Sequence, residues 1–300
     1  MFKETIIHIG LHKTASTFMQ KYFFPLHADE SGYVEIRKHT PNFLRYFLYC
    51  NELEFDIKIA NAILWRELNI INFSKQKLII SDEQFCGSPW NNASHRKLYF
   101  DRLNGIFPNA RYIIVLRNQN DLIQSLYLQY IKTGGSATWK EFLSHKRPPL
   151  NFSLKSYLNY GVYINYIISQ VERERVGCFF YEDMKDNPLP FLKQIASFIG
   201  VKAGSELNKI VFFNANRSIS PAWVKIFLYL NKFCRSEKQP FLLLPMRLRS
   251  LFVSFARKLS FLKNRNIIPE KEVAMFCKDS KKFNSIIQDI VSRRISEIGY

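Results

Sequence analysis

The chain has 300 residues, 47% of them hydrophobic, so it can build a sizeable core and is not a disordered chain. Forty-three Lys and Arg against 25 Asp and Glu give a net charge of +18, so the surface should attract anions such as phosphate esters, nucleic acid or acidic lipid. Charge alone does not choose among these ligands.

Four short segments have the pattern of buried parallel strands, because they are rich in Ile, Val and Phe and are bounded by polar or turn residues. They are Thr5–Ile9, Lys77–Ser81, Arg111–Leu116 and Val176–Tyr181. Segments around them carry apolar residues at intervals of three and four, the period of one helix face. These are Phe18–Phe24, Phe55–Ile71, Lys97–Phe107, Asp121–Lys132 and Tyr157–Val171. The alternation predicts an α/β fold with a central parallel sheet flanked by helices.

The chain after the last predicted strand has a helical pattern. Pro188 opens a helix that Gly200 ends. We predict an α/β core over residues 1–204 and a mostly helical part over residues 205–300 that completes the same domain. Residues 241–265 are both basic and hydrophobic. They form either a helix docked on the body with its basic edge in water, or a helix in contact with an acidic membrane surface.

Cysteine usage and the first residues of the chain indicate a compartment. The five cysteines are far apart and show no C-x-x-C spacing, which indicates neither a zinc site nor a disulfide framework. A reducing environment fits this usage. The start of the chain lacks a signal-peptide pattern, and no run of about 18 apolar residues predicts a membrane-spanning helix. We therefore expect a cytoplasmic location, with peripheral contact at the inner membrane face through residues 241–265.

The strongest local signal follows the first predicted strand, where residues 10–17 read G-L-H-K-T-A-S-T. A strand that turns through a glycine into a helix start directs backbone N–H groups at one point, and a lysine and hydroxyl groups add charge and donors. This pattern predicts a phosphate-binding loop. It differs from the nucleotide-hydrolysing pattern G-x-x-x-x-G-K-[ST], because Lys13 follows Gly10 by only three residues and no second glycine precedes it.

This loop resembles the 5′-phosphosulfate loop of sulfotransferases that use 3′-phosphoadenosine-5′-phosphosulfate (PAPS), which typically reads G-x-x-K-[ST]-G-[ST]-[ST]. The matching residues are Lys13, Thr14, Ser16 and Thr17. Ala15 stands where the family usually has glycine. The resemblance implies that these five residues bind the phosphosulfate. His12, where cytosolic members commonly have proline, is similar to the bacterial branch that modifies carbohydrates.

A second match follows the third predicted strand, where residues 117–127 read R-N-Q-N-D-L-I-Q-S-L-Y. It resembles the family's 3′-phosphate motif, R-[ND]-P-x-[DE]-R-x-x-S-x-[YF]. The resemblance implies that Arg117 and Ser125 bind the 3′-phosphate; an arginine at a strand end and a serine two turns into the next helix can converge on one anion. Gln119 and Leu122 replace the usual proline and arginine. We expect the loss of the proline only to loosen the turn.

Sulfuryl transfer to an alcohol needs a base near the acceptor hydroxyl and a cation near the departing phosphate oxygen. Glu83, just after the second predicted strand, is the candidate base because carbohydrate sulfotransferases often use a glutamate at a neighbouring strand end. Lys13 is the candidate cation. His12 and His95 are the alternative bases. In the structural alternative, Asp82 and Glu83 cap the following turn or pair with Lys13.

Further residues are assigned by the same resemblance or by residue type. Arg217, in a segment that resembles the family's late closing loop, is a candidate for the 3′-phosphate site; a solvated arginine before a helix start explains it equally well. Trp90 and Trp139 are either sugar-stacking or packing residues, and packing is favoured. The resemblance implies a P-loop-like three-layer fold and a carbohydrate or glycolipid acceptor, with no metal and no nucleic-acid partner.

Two other functions fit parts of the sequence. A P-loop-type ATP-dependent kinase would need a strand-end aspartate for Mg²⁺, and Asp82 is the residue available for it. A non-catalytic basic protein that binds polyanions or membranes would use the +18 charge and residues 241–265, but it leaves both strand-end motifs as coincidences. The order and spacing of the two motifs favour the sulfotransferase interpretation, with PAPS as donor.

Overall fold

The computed structural model describes residues 2–28, 32–144, 154–210, 221–233, 267–282 and 284–288, together with Val291 and Tyr300. Arg217 and the basic segment 241–265 lie outside the described residues, so their roles stay predictions. None of the helices in the described ranges combines the length and the apolar composition that crossing a membrane requires.

Five parallel strands form one sheet. They are β1 (Glu4–Gly10), β2 (Tyr33–Val34), β3 (Lys77–Asp82), β4 (Arg111–Leu116) and β5 (Val176–Phe180). Their order across the sheet is β2-β3-β1-β4-β5. The predicted α/β fold is confirmed. β2 was not predicted, because a two-residue strand is too short to show a periodic pattern.

Helices fill the connections between the strands and continue after β5. In chain order they are α1 (Ser16–Phe18), α2 (Phe24–Leu26), α3 (Ile36–His39), α4 (Pro41–Tyr49), α5 (Ile57–Ile70), α6 (Arg96–Ile106), α7 (Gln119–Lys132), α8 (Trp139–Leu143), α9 (Lys155–Leu158), α10 (Tyr160–Gln170), α11 (Tyr181–Asp186), α12 (Pro188–Ile199), α13 (Glu206–Ile210), α14 (Pro221–Leu230), α15 (Glu270–Lys281) and α16 (Ser285–Gln288). A π-helical turn, Met19–Phe23, joins α1 to α2, and 3₁₀ turns span Glu83–Cys86, Pro89–Asn91 and Arg173–Arg175.

The sheet separates two apolar cores, because successive residues of a strand point to opposite faces. Ile7 and Ile9 of β1 pack in the core formed with α4, α5, α6, α7 and α10. Ile6 packs on the other face, with the segment from α1 to α2 and with α12. Helix, sheet and helix therefore form three layers, as predicted.

Of the six predicted helices, one agrees in full, three agree within two residues at each end, and two differ in kind. The segment predicted over Tyr157–Val171 is two helices, because Asn159 interrupts it and caps α10 by accepting the Val162 N–H. The helix predicted over Phe18–Phe24 is wound in part as a π-helix. Helix α12 has the predicted bounds, and Gly200 ends it with a left-handed φ of +67°.

Helices near the end of the chain share the core of the sheet. Val224 of α14 and Val273 of α15 are buried in the same cluster as α7. The domain boundary near residue 204 stays a prediction.

Gln119, at the position of the family's proline, is buried, and its Nε2 donates to Asn284 Oδ1 at 3.0 Å. Gln119 therefore links the start of α7 to Asn284, just before α16. The expectation that losing the proline only loosens the turn did not include this contact.

Candidate active site

The carboxyl ends of three neighbouring strands lie side by side at one edge of the sheet. In the parallel register Ile9 pairs with Asp82, and Gly10 pairs with Val115. The loops that follow β1, β3 and β4 therefore leave the sheet together. Ligands of open α/β sheets bind at this edge, which is where the sequence places its candidate residues.

The loop after β1 is held by its own hydroxyl groups. The Thr14 hydroxyl donates to the Leu11 carbonyl at 2.6 Å, and the Ser16 hydroxyl donates to the same oxygen at 3.4 Å. Both side chains are buried. A Cβ on Gly10 would collide with the Ser16 side chain, which explains the glycine at this position. Thr17 is half-buried in α1.

Two residues of this loop have a left-handed backbone. Lys13 has a φ of +67° and Ala15 a φ of +63°, a region that costs a residue with a Cβ about 1–2 kcal/mol. The family pattern has glycine at the position of Ala15, and glycine adopts this conformation without that cost. The loop therefore keeps the turn of the pattern and carries local strain at Ala15.

The Lys13 side chain reaches the helix that carries Ser125. Its ammonium group donates to Gln129 Oε1 at 2.7 Å, and Gln129 lies one turn after Ser125 in α7. Ser125 itself is half-buried. Gln129 was not predicted, because no motif marks it and it is 116 residues away from Lys13 in sequence.

Arg117 directly contacts the loop after β1. Its Nη1 donates to the Lys13 carbonyl at 2.9 Å, and its guanidinium lies over the Tyr181 ring, 4.5 Å from the centroid. Arg117 Nε is buried and has no hydrogen-bond partner among the described residues. A buried cationic donor without an acceptor fits a site for an anion. The structure thus brings Lys13 and Arg117 together.

A half-buried glutamate, Glu182, supports the backbone next to Arg117. Glu182 Oε1 accepts the Asn118 N–H at 2.9 Å, and Oε2 accepts the Tyr300 hydroxyl at 3.3 Å. Tyr160 donates its hydroxyl to the Arg117 carbonyl at 2.9 Å. Burial raises the pKa of Glu182. Glu182 and its neighbour Tyr181 therefore adjoin Arg117, the 3′-phosphate candidate.

The two carboxylates after β3 have different environments. Asp82 is buried and forms a two-pronged ion pair with Arg37, at 2.6 Å and 2.7 Å, while its Oδ1 also accepts the Gln84 N–H at 2.8 Å. Asp82 therefore caps the following turn, as the structural alternative to a catalytic role predicts, and its ion-pair partner is Arg37. Glu83 is half-buried at the start of the 3₁₀ turn and is not part of that pair. The hydrogen-bonded Asp82 carboxylate raises the pKa of Arg37, and Glu83 adds to this effect.

The two candidate histidines also differ. His12 Nδ1 lies 3.0 Å from the Tyr157 hydroxyl, and burial lowers the pKa of His12 to about 4. His95 is exposed just before α6, with its ring stacked on Tyr99 at 5.6 Å. Its Nδ1 lies 3.3 Å from Asn91 Nδ2.

The family follows from a comparison with known proteins. The sulfotransferase domain model matches residues 3–221, which include every strand of the sheet and both strand-end motifs. The chain belongs to the sulfotransferase family. Similar curated proteins are sulfotransferase 6B1 of Homo sapiens, 32% identical over 124 residues, and that of Pan troglodytes, 31% identical over 123 residues. Each alignment covers 38% of this chain and 37% of the relative, so the match spans little more than a third of these relatives.

Solved sulfotransferase structures overlap with this chain only loosely. The sulfotransferase from Alicyclobacillus acidocaldarius aligns with a TM-score of 0.49 and 12% identity, over 76% of this chain and 93% of the other. A mouse sulfotransferase complexed with PAP aligns with a TM-score of 0.39 and 15% identity, over 69% of this chain and 62% of the other. These scores are too low to equate individual residues.

This member of the family departs from the family pattern at one further position in the motif after β4. Leu122 is fully buried in the core, at the position where the pattern has arginine. Its side chain contributes packing on the face of α7 that meets the sheet. The charge of the usual arginine is therefore absent at this position of α7.

Replacing Ala15 with Gly should raise the free energy of unfolding by about 0.5–1 kcal/mol, because relief of the left-handed strain outweighs the extra entropy of the unfolded chain. Denaturant unfolding of the full chain measures the change. Ala62→Gly is the matched control: Ala62 is exposed inside α5, so this variant should lose about 1 kcal/mol. Equal losses in both variants would contradict the strain at Ala15.

The raised pKa of Glu182 makes a prediction about pH. The folded chain binds this proton more tightly than the unfolded chain, so the resulting stability is present below the ordinary pKa of 4.5 and is lost as pH rises through the raised pKa. Glu182→Gln resembles the protonated form at every pH. The stability of the wild type minus that of the variant should therefore fall as pH rises above the ordinary pKa of 4.5.

Denaturant unfolding in a pH series checks this trend for Glu182. Glu174→Gln is the control, because Glu174 is exposed and its variant should show no such dependence. A difference between wild type and Glu182→Gln that grows with pH would mean that the Glu182 carboxylate is stabilised in its charged form.

Proposed function

We propose that this protein transfers a sulfuryl group from PAPS to a hydroxyl group of an acceptor. The observation that carries the proposal is the hydrogen bond of 2.9 Å from Arg117 to the Lys13 carbonyl. It joins two cationic segments at the ligand-binding edge of the sheet, and PAPS has anionic groups at both its 5′ and 3′ positions. Membership of the sulfotransferase family supports the same reaction.

The described residues fit a donor with two anionic groups. Arg117 and Ser125 would bind the 3′-phosphate, with the unpartnered Arg117 Nε as one donor. Residues 13–17 would bind the phosphosulfate. Because the Thr14 and Ser16 hydroxyls are bonded to the Leu11 carbonyl, this loop would act mainly through backbone N–H groups, the Thr17 hydroxyl and the Lys13 ammonium. Arg217 stays a candidate for the 3′-phosphate.

The proposed reaction is an in-line displacement. The acceptor oxygen forms a bond to sulfur, and the bond from sulfur to the 5′-phosphate oxygen breaks. Glu83 accepts the proton of the acceptor hydroxyl, and Lys13 stabilises the negative charge that develops on the departing phosphate oxygen. The products are a sulfate ester and adenosine 3′,5′-bisphosphate. We expect no metal requirement, because the lysine and the backbone donors offset the charge.

The ion pair after β3 weakens the kinase hypothesis. A kinase of this fold would place its strand-end aspartate on Mg²⁺. Asp82 is the residue available for that role, and both of its carboxylate oxygens are bonded to Arg37. Glu83 carries no such pairing and stays available as a base. Sulfuryl transfer therefore requires no break in the ion pair between Asp82 and Arg37, whereas a Mg²⁺ site at Asp82 would.

We propose a carbohydrate or glycolipid as the acceptor. An open depression of about 370 Å³ is lined by Trp139, Lys140, Lys155 and Phe276, among others. Trp90 and Trp139 are both half-buried and both pack against the same core, but Trp139 lines this depression, so Trp139 is the better candidate for stacking on a sugar ring. The net charge of +18 suits an acidic acceptor. Nucleic acid is not an expected partner.

The expected location follows from the same proposal. We propose a cytoplasmic protein that touches the inner face of an acidic membrane through residues 241–265, where a lipid-linked acceptor would lie. Flotation with vesicles of acidic lipid tests this contact. Binding to acidic but not to neutral vesicles is the expected result.

Calorimetric titration with adenosine 3′,5′-bisphosphate tests the donor site. The wild type should bind, and Lys13→Ala and Arg117→Ala should each weaken binding at least tenfold, because each removes a charged hydrogen bond. Lys193→Ala removes the same charge from an exposed position of α12 and should leave the affinity unchanged. Magnesium-dependent binding of ATP, without binding of the bisphosphate, would overturn the proposal.

Replacing Glu83 with Gln should lower turnover by about 100-fold or more, since a general base contributes about 10²–10⁴ to the rate. Affinity for adenosine 3′,5′-bisphosphate should stay the same. The assay follows PAPS consumption with an acceptor found by screening sugars and glycolipids. Glu174→Gln serves as the exposed control and should keep full turnover. Unchanged turnover in Glu83→Gln would assign the base to another residue.

A further inference from the structure

One buried hydroxyl contacts both the backbone and the side chain of His12. The His12 N–H donates to the Tyr157 hydroxyl oxygen at 2.8 Å, and His12 Nδ1 lies 3.0 Å from the same oxygen. Tyr157, in α9, is fully buried, and its ring meets the imidazole edge-on with centroids 5.9 Å apart. Tyr157 therefore positions both the backbone and the ring of His12, which precedes Lys13 in the proposed anion-binding loop.

The position of Tyr157 is itself fixed by a buried arginine. Arg96 donates through Nη2 to the Tyr157 carbonyl at 3.2 Å and through Nε to the Cys86 carbonyl at 2.9 Å. Its guanidinium also lies over the Tyr157 ring, 4.9 Å from the centroid. Arg96 thus fixes the backbone and the ring of Tyr157, and this sets the distances from the Tyr157 hydroxyl to His12.

The direction of the hydroxyl proton follows from the available acceptors. The oxygen of Tyr157 already accepts the His12 N–H, and its single proton can go to His12 Nδ1 at 3.0 Å or to Cys86 Sγ at 3.7 Å. An imidazole nitrogen is a much stronger acceptor than a thiol sulfur, and here it is also the closer one. Burial raises the pKa of Tyr157, so the hydroxyl keeps its proton. His12 Nδ1 is therefore an acceptor.

The charges around His12 keep the ring neutral. Its pKa is lowered to about 4, chiefly by burial and also by nearby cations, while Asp82 acts in the opposite direction. The cations are Lys13, Arg96 and Arg37. Tyr157 and Cys86 complete the titratable groups that face the ring. A neutral imidazole that accepts at Nδ1 carries its proton at Nε2.

We propose that Tyr157 holds His12 as the Nε2–H tautomer, so that the loop presents a hydrogen-bond donor at His12 to an oxyanion of the bound nucleotide. The identity of that anion rests on the proposed function. Tyr157 is a positioning residue. With its one proton at Nε2 and its acceptor nitrogen on the inner side against Tyr157, His12 cannot serve as the general base, which leaves Glu83, the proposed base, and His95 as the candidates.

Nuclear magnetic resonance tests the tautomer independently of activity. Long-range proton–nitrogen correlations on the full chain with labelled histidines distinguish the Nε2–H from the Nδ1–H form, and His12→Gln assigns the signal. The expected result is the Nε2–H form at pH 7, with protonation only near pH 4. An Nδ1–H form, or a protonation midpoint near the ordinary 6.5, would overturn the proposal.

Tyr157→Phe removes the hydroxyl and keeps the ring, so it tests whether this contact sets the tautomer. In this variant the His12 signal should shift to a mixture of both tautomers. If the variant does not fold, the measurement on the wild type still decides the tautomer. An unchanged, pure Nε2–H signal in folded Tyr157→Phe would contradict the positioning role of Tyr157.

Binding of adenosine 3′,5′-bisphosphate tests the anion contact. Glutamine places an N–H group near the position of His12 Nε2, so His12→Gln should stay within about threefold of the wild-type affinity, whereas His12→Leu should lose about tenfold. Equal affinity in His12→Leu and wild type would overturn the contact. If the wild type itself does not bind, the proposed function and the anion contact both fail, and the tautomer is still judged by resonance alone.

Discussion

The hydrogen bond from Arg117 to the carbonyl of Lys13 is the contact on which the site depends. It links the end of β4 to the loop after β1, so the two cationic segments form one surface instead of two separate ones. The parallel register of neighbouring strands makes the contact possible, because it places Gly10 beside Val115 at the same edge of the sheet. The site is therefore a consequence of strand order as much as of the motifs.

Distant parts of the chain hold this surface in place. Tyr160 and Glu182 bond the backbone at Arg117 and Asn118, and Tyr300 in turn donates to Glu182. Tyr157 bonds the backbone of the opposite segment at His12. Each of these supports is a partly buried hydrogen bond, so its loss would leave a polar group without that partner. Rigidity around the anion-binding groups favours binding of a nucleotide without prior rearrangement.

The sequence predicted features encoded over short distances. Continuous apolar runs marked β1, β3, β4 and β5, and the loop after β1 was found because its residues are adjacent. Contacts between distant residues left no such pattern: Lys13 with Gln129 and Glu182 with Tyr300 are more than 100 residues apart. The ion pair of Asp82 was also hidden, because its partner Arg37 lies in a segment with no recognisable motif. The left-handed backbone at Ala15 shows why the family pattern has glycine there.

A crystal structure with adenosine 3′,5′-bisphosphate tests the central claim most directly. The account predicts that one phosphate lies within hydrogen-bonding distance of Arg117 Nε and the other at the loop of Lys13, with a single nucleotide bridging the two segments. A nucleotide bound elsewhere, or one that contacts only the Lys13 loop while Arg117 Nε stays without a partner, would contradict it.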